Sequence, residues 1–412
     1  MEFSNPWFTV IFLSVLGLHA MEVIATVLNL RRLSPKLPAG LEDIYEADAY
    51  AKSQAYTRES ERFGLVSGSL RLAVFIIFWL AGGFGWLDGL VRSWTDSPVW
   101  QGLAGFSLLY AASTVIGLPF SWYDTFRIEA KYGFNKTTPG TFVIDIIKGL
   151  VLAALLGGPL MALLIWIFDT WDNAWLWAWI ATTILMLALQ YIAPRWLMPL
   201  FNKFTPLPDG SLKNEINALS AKCDFPLAGL FVIDGSKRST KANAFFAGFG
   251  RNKRIALYDT LIEKHPEPEL IAVLAHEIGH FKCRHIVQRM VVAVVQMALL
   301  FLLMGFFMKS SGLHSAFGVT RPSVWLSFVF FMYLFEPVQT VIGIAGNMWS
   351  RRHEFEADAY AARVTGSPQP LMSGLKRLAR DTLANLTPHP FYAFIHYSHP
   401  PMQERLAALA KQ

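Results

Sequence analysis

The chain has 412 residues, 53% of them hydrophobic and only 16% charged, with 32 Phe and 14 Trp, whereas soluble globular proteins carry about 25% charged residues. That deficit argues against an ordinary soluble domain and for an α-helical polytopic membrane protein. The net charge of +6 sits mostly in a few loops, which fits anionic lipid better than nucleic acid. The two cysteines, Cys223 and Cys283, lie far apart without CxxC spacing, against a disulfide framework or a thiolate zinc site.

A spanning helix needs about 20 mostly apolar residues. Seven segments qualify in chain order: Trp7–Leu28, Leu65–Leu87, Leu103–Trp122, Val143–Phe168, Trp175–Ile192, Ile286–Met308 and Val324–Met348. The first has no basic residue before it and ends in Arg31-Arg32, so it reads as a retained span rather than a signal peptide. Lys and Arg are rich after spans one, three, five and seven; the alternate loops hold only Arg92, Lys309 and Arg321. The positive-inside rule then puts the N-terminus outside and every long polar segment in the cytoplasm.

The organisation expected is residues 1–193 for spans one to five, 194–285 for the first part of a polar domain outside the membrane, 286–348 for spans six and seven, and 349–412 for its second part. "TPLPDG" breaks the chain after span five. "GLFVIDGS" and "ANAFFAGFGRNKRIALYDTLI" read as strands. "PEPELIAVLAHEIGHFKCRH" reads as a helix that starts after a proline.

On that helix His276 and His280 are one turn apart, so both imidazoles leave the same face and can share a metal ion. Glu277 stands about 100° round the helix, placed to take a proton from water without being a ligand. A catalytic zinc needs a third protein ligand and an open position. "RRHEFEADAYA", after span seven, offers Glu354 and Asp358 one turn apart. One carboxylate can bind metal while the other hydrogen-bonds a ligand histidine. A solvated acidic face is the alternative for this pair, and Glu356 and His353 are the competing ligands.

"HEIGH" with "EFEAD" resembles the Ste24-type membrane zinc metalloproteases, the type I CAAX prenyl proteases of peptidase family M48. "IEAKYGFNKTTP", "PLFNKFTPLPDGSLKNEI", "VIDGSKRSTKANAFFAGFG", "NKRIALYDTLI" and "HYSHPPMQERLAAL" extend the likeness over most of the chain. The resemblance implies a barrel of seven transmembrane helices around an intramembrane chamber, with a mainly helical zincin-like domain carrying a small β-sheet. It implies one zinc on His276, His280 and Glu354, Glu277 as base, Asp358 orienting a ligand histidine, and His399 facing the scissile carbonyl. Asn243, Ala244 and Phe245 fall on the family's substrate-pairing edge strand, and Arg405 matches an arginine near the site, where a structural ion pair is the alternative. The implied partners are a peptide or protein substrate, lipidated or not, and the bilayer, with no nucleic acid and no obligate protein partner.

Eukaryotic members tend to read "HSNAYFYG" where this chain reads "KANAFFAG". With the shorter chain and no ER-retention tail, this suggests a bacterial inner-membrane relative with a periplasmic N-terminus, in place of the ER membrane of a eukaryotic one. Its function would then include membrane-protein quality control without prenyl dependence. The reading from a different class is a transporter or channel with a structural metal site, which would have no use for Glu277. Glu22, Arg71, Asp145, Lys148 and Glu336 lie in or near apolar stretches, where charge is costly; in a hollow barrel they can meet chamber water. His285 and His19 read as structural histidines.

Overall fold

The computed structural model describes residues 4–247, 253–308 and 310–412, with backbone alone at 245–247. Its elements in chain order are helices α1 (Pro6–Arg32), α2 (Ala47–Leu80), α3 (Gly83–Trp94), α4 (Pro98–Tyr132), α5 (Pro139–Thr170) and α6 (Ala174–Leu200). There follow β1 (Phe204–Pro206), α7 (Ser211–Lys222), β2 (Leu227–Ile233), β3 (Ala244–Ala247), β4 (Lys253–Tyr258), α8 (Asp259–Lys264) and α9 (Glu267–Lys282). The chain ends with α10 (His285–Phe307), α11 (Ser311–Ala316), α12 (Val324–Thr365), α13 (Gln369–Asp381), α14 (Pro390–His396) and α15 (Met402–Leu409). Among the described residues seven helices, α1, α2, α4, α5, α6, α10 and α12, are long and apolar enough to cross a membrane.

These seven form a ring. Packing runs from α1 to α12, α10, α6, α5 and α4, then through the π-helical turn Asp124–Glu129 of α4 to α2, and back to α1. Only 6–22% of each apolar stretch is buried inside the protein, as walls one helix thick leave most side chains facing lipid or a lumen. The ring is pinched where α4 and α12 begin. There Gly102 and Gly105 admit the Trp325 ring; a Cβ at Gly105 would lie 2.7 Å from it. Small residues let spans approach this closely, and Trp325 Nε1 donates to Asp88 Oδ1 at 3.1 Å.

The expected spans differ most in extent at the second and the seventh. The second was expected over Leu65–Leu87, but α2 ends at Leu80 and Gly82, at φ +75°, turns the chain into α3. A left-handed residue ends a helix, and glycine takes that conformation without a Cβ clash. At its other end α2 starts at Ala47, where its polar turns pack on the C-terminal segment: Gln54 Nε2 donates to Asn385 Oδ1 at 3.1 Å. Hydropathy marks where the membrane ends, not where the helix does. The same holds for α12, one helix of 42 residues that carries both the last span and the EFEAD stretch.

Near one end of the ring a four-stranded sheet of order β1-β2-β4-β3 packs with helices α7, α8, α9, α13 and α15. β2 and β4 run parallel, while β1 and β3 are antiparallel edge strands. Leu274 and Ile278 of α9 join Ile255 and Leu257 of β4, Ala361 of α12, Leu375 of α13 and Leu409 of α15 in one core. The expected strand through "YDTLI" stops at Tyr258. Asp259 Oδ1 accepts from the backbone N–H groups of Ser236 and Thr260, and α8 begins there. Residues 248–252 of that stretch, like Lys309, lie outside the described residues.

Three of the charged residues within apolar stretches have polar partners. Asp145 on α5 receives Arg238 Nε and Nη2 at 2.8 and 2.9 Å. Lys148 donates to the carbonyl of Leu200, and Glu22 meets His396 at 3.3 Å.

Candidate metal centre

Helix α9 starts after Pro266, with Pro268 in its first turn and Glu267 and Glu269 near the positive end of its dipole. His276 and His280 lie in its last two turns. α9 crosses α12 at Gly279, where a Cβ would lie 3.1 Å from Ala357 Cα and 3.2 Å from both Ala357 O and Tyr360 Cβ. This close approach sets the two motifs face to face.

Glu354 and Asp358 are buried on the facing side of α12, at 2% and 1% exposure. Glu354 Oε1 lies 3.2 Å from His280 Nε2, and Glu354 Oε2 lies 3.5 Å from His276 Nε2. The two Nε2 atoms are 3.2 Å apart. Asp358 Oδ1 is 2.8 Å from His276 Nδ1. This is an ion-pair contact; an ionised carboxylate beside Nδ1 favours a proton there, which leaves the Nε2 lone pair turned inward. His276, His280 and Glu354 thus offer three donor atoms within 4.8 Å of one another. Such a convergence of acceptors calls for a cation. The same electrostatics act on a proton: burial opposes charge on His276, but hydrogen bonds to Asp358 and Glu354 outweigh it and lift its pKa to about 9. The residues present therefore fit a metal ion.

Other expected site residues gather around these. Glu277 is half-buried, and its carboxylate has no hydrogen-bond or ion-pair partner among the described residues. His399, 64% exposed, brings Nδ1 to 2.8 Å from Glu354 Oε2. Arg405, expected near substrate, is buried. Its Nε and Nη2 donate to the two Asp358 oxygens at 2.8 and 2.6 Å, and Nη1 lies 3.5 Å from Glu354 Oε2. The geometry gives it the ion-pair place, holding the carboxylate that holds His276.

Asn243, Ala244 and Phe245 lie at the start of β3. Asn243 is exposed, with its Oδ1 on its neighbour's N–H. Ala244 pairs with Leu257 and Phe245 with Ala256; the Phe245 side chain is outside the described set. β3 is the sheet edge, with β4 as its one sheet neighbour among the described residues.

The competing ligands go elsewhere. Glu356 points to His285 and Arg352, at 3.0 and 3.2 Å. His353 stacks on His285, with ring centroids 3.8 Å apart and planes at 8°. Sequence reasoning did not single out Gly279, although a glycine inside a zinc-type helix signals close backbone approach. It also gave His285 no part in the site, and nothing in the spacing ties His285 to Glu356, 71 residues away.

Two family models cover the chain: "CAAX prenyl protease N-terminal, five membrane helices" at residues 26–203 and "Peptidase family M48" at 206–412. The chain is 35% identical to the CAAX prenyl protease 1 homolog of Oryza sativa subsp. japonica, over 98% of this chain and 97% of that protein. It is also 35% identical to the CAAX prenyl protease 1 of Saccharomyces cerevisiae, over 98% and 95%. The crystal structure of S. mikatae Ste24p superposes with a TM-score of 0.93 at 34% identity, covering 98% of this chain and 99% of that one. A match of this extent to peptidases leaves the transporter reading without support. The chain belongs to peptidase family M48, within its CAAX prenyl protease branch, and is an integral multi-pass membrane metalloprotease.

Proposed function

We propose that the chain is a zinc endopeptidase that cuts the C-terminal region of extended, lipidated peptides held at the membrane face. The observation that carries this is the set of three donor atoms within 4.8 Å, beside a glutamate with no hydrogen-bond or ion-pair partner among the described residues. Two imidazoles and one carboxylate are the donor set of a catalytic zinc with an open position. When bound, zinc supplies a Lewis acid that polarises the scissile carbonyl and lowers the pKa of a water. Glu277 takes the proton from the attacking water and passes it to the leaving amine. His399, with Nδ1 2.8 Å from Glu354 Oε2, donates Nε2–H to the carbonyl oxygen as negative charge grows there when it is the doubly protonated imidazolium, a contribution of about 3 kcal/mol in comparable sites. Asp358, held by Arg405, fixes the His276 tautomer.

Substrate adds as a further strand along β3, from Asn243 through Ala244 and Phe245. Backbone pairing of this kind imposes little sequence preference. The basic loops favour a cytoplasmic protease domain with the N-terminus on the opposite side, as in a bacterial inner membrane. The relatives named CAAX prenyl proteases and the apolar ring support a lipidated peptide as substrate. Each buried CH₂ of a lipid chain is worth about 0.8 kcal/mol, so the lipid should act on KM.

The test is cleavage of matched farnesylated and unlipidated C-terminal peptides by purified protein, with Glu277→Gln as control. Both should be cut, the farnesylated one at lower KM. Equal KM values would favour the quality-control reading without prenyl dependence. Absolute dependence on the lipid would mean that it positions the scissile bond. Cleavage of neither peptide by metal-loaded protein would overturn the proposal.

A further inference from the structure

We infer that His285 and Glu356 are positioning residues for the metal centre: a hydrogen-bond relay that fixes His280 in the tautomer presenting Nε2 to the metal. This rests on the reading of His280 as a ligand. His280 Nδ1 lies 2.9 Å from His285 Nδ1, and His285 Nε2 lies 3.0 Å from Glu356 Oε2. The Glu356 carboxylate accepts, so the proton of that contact is on His285 Nε2. A neutral imidazole has one N–H, which leaves His285 Nδ1 as an acceptor. The contact with His280 then needs its proton on His280 Nδ1. His280 Nε2 is left with a bare lone pair, at the position 3.2 Å from both Glu354 Oε1 and His276 Nε2. The direction of every hydrogen bond follows from the one group that cannot donate.

The fold holds this relay rigidly. His285 is 1% exposed and is the first residue of α10, reached through Arg284 at φ +59°. His353 lies flat against its ring, and His353 Nε2 is itself 3.1 Å from Gln288 Oε1. The two ligand histidines are therefore supported differently. His276 has a buried aspartate tied to a buried arginine. His280 has a second imidazole, leading to a glutamate that is 43% exposed and paired with Arg352. A ligand histidine commonly gives its other N–H to a carboxylate or carbonyl, and loss of that partner costs about 10–100-fold in metal affinity. Here an imidazole stands between ligand and carboxylate, and it is the first residue of a membrane span. Cys283 lies near enough to group with His285 and Glu356 as a second set of metal donors. The relay explains that grouping without a metal, since both His285 nitrogens are already engaged.

The test measures zinc affinity of the full-length protein in nanodiscs by competition with a chelator. His280→Ala should abolish tight binding; if it keeps wild-type affinity, His280 is no ligand and the relay falls with that reading. Given that result, His285→Phe and Glu356→Leu should each weaken binding by about 10–100-fold. Glu356→Gln should stay within about threefold of wild type, because its amide oxygen can accept the same N–H. Glu356→Leu added to His285→Phe should cost nothing more, since it acts through the missing ring; a merely structural glutamate would cost the same in both backgrounds. Wild-type affinity in His285→Phe, additive losses in the double variant, or two zinc ions per chain with one lost in Cys283→Ser would each overturn the relay. If His285→Phe does not fold, Glu356→Leu and Glu356→Gln decide the matter: equal affinities would overturn it, and a loss in Leu alone would support it.

Discussion

Gly279 of α9 lies against Ala357 of α12 so closely that a Cβ at position 279 would come within 3.1 Å of Ala357 Cα. Both neighbours belong to helices that carry metal donors, so the contact sets the distance between the two motifs. Gly279→Val should push the helices apart, and overpacking of this kind costs about 1–3 kcal/mol. The expected outcome is a lower melting temperature together with reduced zinc content after dialysis. A variant with full zinc content would show that the crossing tolerates a wider spacing.

Glu277→Gln removes the proposed base and leaves every donor atom in place. Zinc content should stay at one per chain, while kcat falls by about 10²–10⁴-fold. Metal analysis and turnover on the same preparation check both halves. Cleavage at the wild-type rate would assign the proton transfer elsewhere.

Asp358→Ala strips His276 of its Nδ1 partner and leaves the Arg405 guanidinium, 7% exposed, without its bidentate acceptor. Breaking a buried pair by removing one partner costs about 3–5 kcal/mol. The variant should therefore lose thermal stability even without metal, and lose zinc affinity as well. Asp358→Ala combined with Arg405→Met should recover part of the stability but not the affinity. Recovery of both would mean that Asp358 serves folding alone.

A pH dependence follows from Glu269, which ties α9 to α13. Arg377 Nε lies 2.9 Å from its Oε2, and Ser373 Oγ donates to its Oε1 at 2.5 Å. Burial pushes the Glu269 pKa up, but hydrogen bonds from Arg377 and Ser373 outweigh this and hold it below the usual carboxylate value. A depressed pKa contributes stability that is present above the unfolded value of about 4.3 and lost as pH falls through the folded one. The melting-temperature advantage of wild type over Glu269→Gln should be full at neutral pH and shrink at acid pH. An advantage independent of pH would remove the charge from the explanation.

The sequence by itself determined what is local. Hydropathy located seven spans because a bilayer demands a continuous apolar run wherever a helix crosses it. The spacing of His276, Glu277 and His280 put two imidazoles on one face because the helix period is fixed by the backbone. Hydropathy did not see that α2 begins in polar sequence or that α12 runs on from the membrane to Glu354, because hydropathy reports polarity and not the backbone hydrogen bonds that continue a helix. Only the tertiary structure placed Glu354, and not Glu356, beside His276 and His280. Both are acids on one helix, and the choice depends on which side of α12 meets α9, which the contact at Gly279 decides. It likewise buried Arg405 against Asp358 and brought His285 between His280 and Glu356. Those relations join residues far apart in the chain, and no periodicity within a single helix encodes which distant side chain will stand opposite.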